Sequence, residues 1–180
     1  MATRSLALKP LKGKTLGSPG NDPWRVAPSD TALSVMTDFR ERSAISVDEG
    51  SQIDAALEHM KHAGVRAAFV IDHQGRKVLG IITAYDIQGE KPLRHMQAAG
   101  YTGRSSSRHD VLARDLMEPI DRWRVADIKD VDKATVEMVL ETFRKTGQTH
   151  IPVVEHRAGD VELLRGLFSY AKITRLLKSE

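Results

Sequence analysis

The chain contains no cysteine among its 180 residues. That excludes a disulfide framework, a thiolate nucleophile and any zinc site built on thiolates, and it is compatible with a reducing compartment. Aromatic residues make up only 5% of the sequence, and no basic–aromatic platform, helix-turn-helix or RNA-recognition pattern is present to bind nucleic acid. No apolar run approaches the roughly 20 residues that cross a bilayer. The stretch from Met1 to Gly20 carries basic residues but no apolar h-region. The expectation is a cytoplasmic chain with no membrane partner and no nucleic-acid partner.

The net charge of +3 belongs to one end of the chain. Arg4, Lys9, Lys12 and Lys14 stand between Met1 and Gly20 with no acid among them, and the rest of the chain holds 23 basic against 24 acidic side chains. Residues 1–30 are rich in Gly, Pro, Ser, Lys and Asp, the composition of an extended or disordered basic segment.

What the chain does have is an internal repeat, which has to be read before anything else. Ile53, Ala56, Leu57, Met60, Gly64 and Ala67–Ile71 recur as Val136, Val139, Leu140, Phe143, Gly147 and His150–Val154, at a constant numbering offset of 83. Gly80-Ile-Ile-Thr83 recurs as Gly166-Leu-Phe-Ser169, where the offset has grown to 86, so the second hairpin is slightly longer. Each unit of roughly 50 residues is too small to bury a sufficient core alone. The two should therefore pack as one body with a shared interface.

The spacing i, i+3, i+4, i+7 predicts one buried helical stripe per repeat, stopped by Gly64 and Gly147. Asp48-Glu49-Gly50-Ser51 places acceptors where the first helix needs them. Short strands are expected at Ala44–Val47 and Val125–Ile128, and hairpin strands at Ala67–Ile71 and Val78–Thr83 around the turn Asp72-His73-Gln74-Gly75-Arg76. The lead-ins Leu33–Asp38 and Leu112–Pro119 echo one another, and final helices begin near Tyr85 and Tyr170. Each repeat reads β-α-β-β-α, an α/β (α+β) fold. The expected organisation is a basic N-terminal segment over 1–30, repeat one with its following helix (Pro92–Ala99) over 31–99, a polar linker over 100–110, and repeat two over 111–180.

Gly80-x-x-Thr83-x-x-Asp86 stands at a strand-to-helix junction. A hydroxyl and free first-turn amides suit a phosphate, and a nearby carboxylate can accept from two sugar hydroxyls. Together they describe a nucleotide corner; taken alone, a Thr at a helix start is usually a cap.

With these corners, the Met36-Thr37 and Met117-Glu118-Pro119 lead-ins, Ile151-Pro152-Val153-Val154, and Asp86-Ile-Gln-Gly-Glu-Lys-Pro92, the chain resembles a tandem pair of cystathionine-β-synthase-type (CBS) domains, a Bateman module, over about Leu33–Leu177. The resemblance implies two repeats packed with pseudo-two-fold symmetry. It also implies adenosine ligands (AMP, ADP, ATP or S-adenosylmethionine) in the clefts between them, no required cofactor, and a homodimer. It assigns phosphate to Thr83, the ribose diol to Asp86, and the base to backbone around Ala44, Ile45, Arg66, Ala67 and Ala68. A second site would gather Ser169, Lys172, His150, Ile151, Pro152 and Arg124. There Lys172 replaces the carboxylate, and an ammonium cannot accept from ribose. One competent site, or two unequal ones, is the expectation.

Other residues invite a functional reading. His59 and His62 fall off the buried stripe and read as solvated, with no metal expected. Trp123, between Arg122 and Arg124, could stack on a base or sit in an interface. Lys91 and Arg94 could reach phosphate or line a helix surface. Leu93, Met96, Ile173, Leu176 and Leu177 read as apolar surface left over for a dimer contact. No Walker loop, Gly-x-Ser-x-Gly or nucleophile–base set appears, so the chain is not expected to be an enzyme. Two readings follow: a sensor module that binds an adenine nucleotide and signals to an unidentified protein, or a ligand-free homodimeric scaffold with vestigial clefts.

Overall fold

In the computed structural model, which describes residues 23–75, 77–100, 108–158 and 161–177, the helical stripes fall where the apolar spacing puts them. Helix α1 (Ile53–His62) buries Ile53, Ala56, Leu57 and Met60. The second long helix, α6 (Val136–Thr146), buries Val136, Val139, Leu140 and Phe143. Gly64 and Gly147 end them at φ +66° and +69°, the left-handed conformation that costs a side chain energy but glycine little.

Two four-stranded sheets receive these helices. One has β2 (Ser46–Asp48), β3 (Ala67–Ile71), β4 (Val78–Thr83) and β5 (Glu118–Pro119), in that order. The other has the order β1 (Thr37–Asp38), β8 (Val161–Ser169), β7 (His150–Arg157) and β6 (Ala126–Asp127). The lead-in strands are exchanged: β1 closes the sheet of the second hairpin, and β5 closes the sheet of the first. The glycines of the two Gly-x-x-Thr/Ser corners are explained by this exchange. A Cβ on Gly80 would stand 2.5 Å from the Glu118 carbonyl oxygen and 2.9 Å from Met117 Sδ. A Cβ on Gly166 would stand 2.8 Å from both the Thr37 carbonyl oxygen and Met36 Sδ. Each glycine lets a lead-in Met and its strand lie flat across the partner repeat.

The exchange also supplies the helix caps. The N–H of Ile53 donates to the Val111 carbonyl (3.2 Å), and those of Val136 and Glu137 donate to Asp30 and Pro28 (both 2.9 Å). First-turn donors are thus met by backbone of the lead-in. This corrects the expectation that Asp48–Ser51 cap α1: its N-cap is Gln52, with no side-chain bond. Asp48 instead accepts from the Gly50 N–H (2.7 Å), which, with a smaller contribution from His73, holds its carboxyl below the ordinary value. The extended reading of residues 1–30 fails from Val26 onward. Val26 is buried with Ile173 and Leu176, and its N–H donates to the Leu176 carbonyl at 3.3 Å. Residues 1–22, Arg76 and residues 101–107 of the linker lie outside the described residues.

Both short-strand expectations need correction. The first strand runs Ser46–Asp48, leaving Ala44 outside it. The second is only Ala126–Asp127, because Ile128 starts a helical turn, α5 (Ile128–Val131), capped by Asp127. Val47 pairs with Val70 and Ala126 with Val153, an offset of 79 between those strands against 83 between the helices. The α5 turn absorbs the difference. The remaining elements are α2 (Ala84–Gln88), α3 (Lys91–Ala98), α4 (Ala113–Leu116) and α7 (Tyr170–Leu177).

The hydrophobic core is accordingly in two parts. One joins Val26, Val35 and Met36 to α6, the β7–β8 hairpin and α7; the other joins Val111, Ala113 and Leu116 to α1, the β3–β4 hairpin and α2. Phe69 lies buried outside both clusters, with Phe39 edge-on at 5.5 Å and Trp123 tilted at 5.9 Å. That aromatic row ties β3 to the residue after β1 and to the segment between β5 and β6. Trp123 is therefore a packing residue here, its Nε1–H donating to the Glu118 carbonyl at 3.2 Å.

The candidate nucleotide corner

Thr83 ends β4 and is the N-cap of α2, where it is 8% exposed. Its N–H and its hydroxyl both donate to Asp86 Oδ2, at 2.8 and 2.7 Å, and the Asp86 N–H donates back to Thr83 Oγ1 at 3.2 Å. The other carboxylate oxygen, Oδ1, faces Lys91 Nζ at 2.5 Å. The two residues singled out for phosphate and ribose thus form a closed capping box with an ammonium beside it. Lys91 opens α3, so it is held there by the helix start as well as by charge. Arg94 instead pairs with Glu90 at 2.6 Å on the exposed face of that helix.

Of the residues expected around a base, Arg66 and Ala67 adjoin this corner. Ala67 stands opposite Thr83 in the β3–β4 register. The Arg66 carbonyl accepts from the Ala84 N–H and the Ile45 carbonyl from the Phe69 N–H, both at 2.9 Å; each keeps one lone pair. Ala68 is buried, whereas Ala44 and the Arg66 side chain are exposed.

The second corner is laid out in the same way. His150 pairs with Ser169, Ile151 with Phe168 and Pro152 with Leu167. The Tyr170 N–H donates to the Thr149 carbonyl at 3.0 Å, as Ala84 does to Arg66. Ile151 and Pro152 are buried. Arg124 is exposed, and its carbonyl accepts from Gln148 Nε2 at 3.3 Å. Lys172 cannot close a capping box on Ser169, because it has donors only.

His150 connects the two corners. Its Nδ1 meets Thr149 Oγ1 at 3.1 Å. Burial pushes its pKa below the ordinary imidazole value, and the Asp86 carboxylate acts in the opposite direction. A charge on the first repeat is therefore felt at the first residue of β7.

His59 and His62 are exposed, and among the described residues no group of three potential metal ligands exists. Ile173 and Leu176 are buried within the chain, against Val26 and the α6 core. Leu177 and Met96 are partly buried on their own clusters. Of the five residues read as a dimer surface, only Leu93 stands largely exposed, at 58%. No described helix is long and apolar enough to cross a membrane.

Several residues escaped the sequence reading. Arg165, at the bulge of β8, is 3% exposed and pairs with Asp38, and its Nε lies 3.3 Å from Glu155. His73 and His156 occupy the same position in the two repeats, one following the other by the same step that takes Gly64 to Gly147. Each meets the acid at the end of its neighbouring strand: Asp48 at 2.9 Å and Asp127 at 3.3 Å. Their shared offset was a visible signal. Arg165 gave none, since an Arg in a strand of this composition reads as surface.

Residues 32–90 match the CBS domain family. No curated protein matches the sequence. Among solved structures, CBSX2, a CBS-pair protein from Arabidopsis thaliana, is 21% identical with a TM-score of 0.50, over 82% of this chain and 93% of that one. CBSX2 in complex with AMP superposes equally well, at 20% identity and TM-score 0.50 over 81% and 94% of the two chains. A CBS-domain-containing protein from Agrobacterium tumefaciens is 16% identical with a TM-score of 0.52, over 79% of this chain and 93% of that one. Residues 32–90 thus match the CBS domain family, and over the described residues the chain has the fold of CBS-pair structures.

Proposed function

We propose that the protein is a non-catalytic regulatory module that binds an adenine nucleotide (AMP, ADP or ATP) at the corner of Thr83 and Asp86. The observation that carries this reading is the make-up of that corner: a buried hydroxyl at the end of β4 and a carboxylate in the first turn of α2, with the Lys91 ammonium beside them. CBSX2, with the same fold, was solved with AMP. A nucleotide would open the capping box: the Thr83 hydroxyl would turn to phosphate, and Asp86 would exchange Lys91 for the ribose diol. Lys91, released, stands where it can meet the phosphate. The module can respond only through unequal affinity for two states. A homodimer belongs to this proposal, through the face bearing Met138 and Tyr170, which are 57% and 42% exposed.

The rival reading, a ligand-free scaffold, is favoured by one observation: both oxygens of Asp86 already have partners within the chain. A thermal-shift panel of adenosine compounds separates the two. At ligand 100-fold above its Kd the folded state should gain about 2.7 kcal/mol. No shift with any adenosine compound at millimolar concentration would leave the scaffold standing.

A further inference from the structure

The two oxygens of the Asp86 carboxylate are held in different ways. Oδ2 takes the N–H and the hydroxyl of Thr83 at 2.8 and 2.7 Å, both local to the capping box. Oδ1 meets the Lys91 ammonium at 2.5 Å, with the Asp86 side chain 16% exposed and the Lys91 side chain 53%. A ligand therefore reaches this pair from the lysine's side. Lys91 is the first residue of α3 and Pro92 follows it, so the backbone there is fixed and the movable part is the flexible lysine stem. The acids near Lys91 are engaged elsewhere. Glu90 holds Arg94 at 2.6 Å, and Asp115, which His95 of α3 approaches at 3.8 Å, accepts from the Leu112 N–H at 2.9 Å. An ammonium displaced from Asp86 meets water or the incoming ligand. Repeat two has no counterpart to this pair: the places of Asp86 and Lys91, counted on by the same 86 residues that separate Gly80 from Gly166, hold Lys172 and Leu177.

We propose that Lys91 is the specificity-determining residue of the corner, and that its ion pair with Asp86 turns away free nucleosides while admitting nucleoside phosphates. The inference rests on the reading of this corner as a nucleotide site. A ribose diol is neutral. To reach Asp86 it must displace a charged partner, and it leaves the ammonium without a carboxylate, so an ion pair is lost and neutral donors replace it. A nucleotide brings its own anion. Its phosphate takes up Lys91 as its diol takes up Asp86, so a carboxylate–ammonium pair becomes a phosphate–ammonium pair and no charge is stranded. The selection needs both residues, which is why it can operate in repeat one and not in repeat two.

The test compares the Kd of AMP and of adenosine, by NMR titration, for the full chain and for Lys91→Met, which keeps the length of the stem and removes its charge. In the wild type AMP should bind at least about tenfold tighter than adenosine, the scale of a hydrogen bond to a charged group. In Lys91→Met the two ligands should move in opposite directions. Adenosine should tighten about threefold, the scale of a half-exposed ion pair no longer in its way, and AMP should weaken about threefold, since it loses the charge-assisted contact and gains the freed carboxylate. Lys91→Arg keeps the charge and should keep the preference for AMP. The inference is overturned if adenosine binds Lys91→Met no better than the wild type, or if both ligands weaken together, as they would were Lys91 merely holding the corner in shape. Binding of neither ligand at millimolar concentration, to wild type or variant, would instead overturn the nucleotide reading itself and this inference with it.

Discussion

The two repeats share their supports and differ in their chemistry. Lead-in methionine, corner glycine, helix stripe and left-handed stop occur in both at matching places, and the exchanged strands β1 and β5 use them identically. The corners they carry are unlike: Thr83 and Asp86 close a box, whereas Ser169 is followed by Lys172. Repeat two has a buried arginine at its bulge where repeat one has Leu79, a Phe143–Tyr170 ring contact where repeat one has Met60 and Ala84, and an extra helical turn after its first strand. The duplicated features are those that the exchange and the core require. The features that diverged are the corner, the hairpin bulge, where Arg165 is buried between two carboxylates, and the turn after the first strand.

The largest effect expected from breaking this comparison is at Arg165. Replacing it with Ala strands two carboxylates, Asp38 and Glu155, that are partly open to water. The cost should be about 3 kcal/mol, the lower end for breaking a buried pair, read as a lowered denaturant midpoint. Leu79→Ala, its counterpart, should cost no more than about 2 kcal/mol, the low end for truncating a core leucine. Equal losses would show that the triad adds nothing to repeat two.

Gly80→Ala and Gly166→Ala come next, and here the repeats should agree. Each new methyl would meet a lead-in carbonyl and a methionine, and each should cost about 2 kcal/mol. A harmless Gly166→Ala would mean that β1 does not lie against β8 as described.

Asp86→Ala should remove most nucleotide affinity, a loss of roughly 1.5–3 kcal/mol in binding, while Lys172→Ala does much less. Calorimetric Kd values decide it, and the opposite order would move the working site to the second corner.

The smallest effect is the pH dependence of His150. Its folded pKa is depressed by burial from the ordinary 6.5, so both states are neutral above that value and the contribution to stability is complete. Below pH 6.5 the unfolded chain takes up a proton first, and stability falls until the folded pKa is passed. His150→Gln should flatten the melting-temperature profile in that window. A wild-type profile that already matches the variant would contradict the burial of His150.

Much of this fold was legible because it is local. The 3.6-residue stripes at 53–60 and 136–143, the glycine stops and the hairpin strands depend on neighbours in sequence. The lead-in exchange was not legible, since Leu112–Pro119 precedes repeat two and nothing in its composition says that it pairs with β4. The caps followed the same pattern: carbonyls of Asp30 and Val111 leave no mark in the side chains around them. At the corner, Thr83 and Asp86 were found by spacing, but their mutual box and the charge of Lys91 needed coordinates. Phe39, Phe69 and Trp123 come from three separate segments, the first before β2 and the last after β5, too far apart in sequence for any pattern to join.

Isothermal titration of AMP into the full chain tests the central claim most directly, that one repeat supplies a nucleotide corner and the other only its mirror. The account predicts one site per chain, lost in Asp86→Ala and kept in Lys172→Ala. Two equivalent sites, or no heat at millimolar AMP, would contradict it.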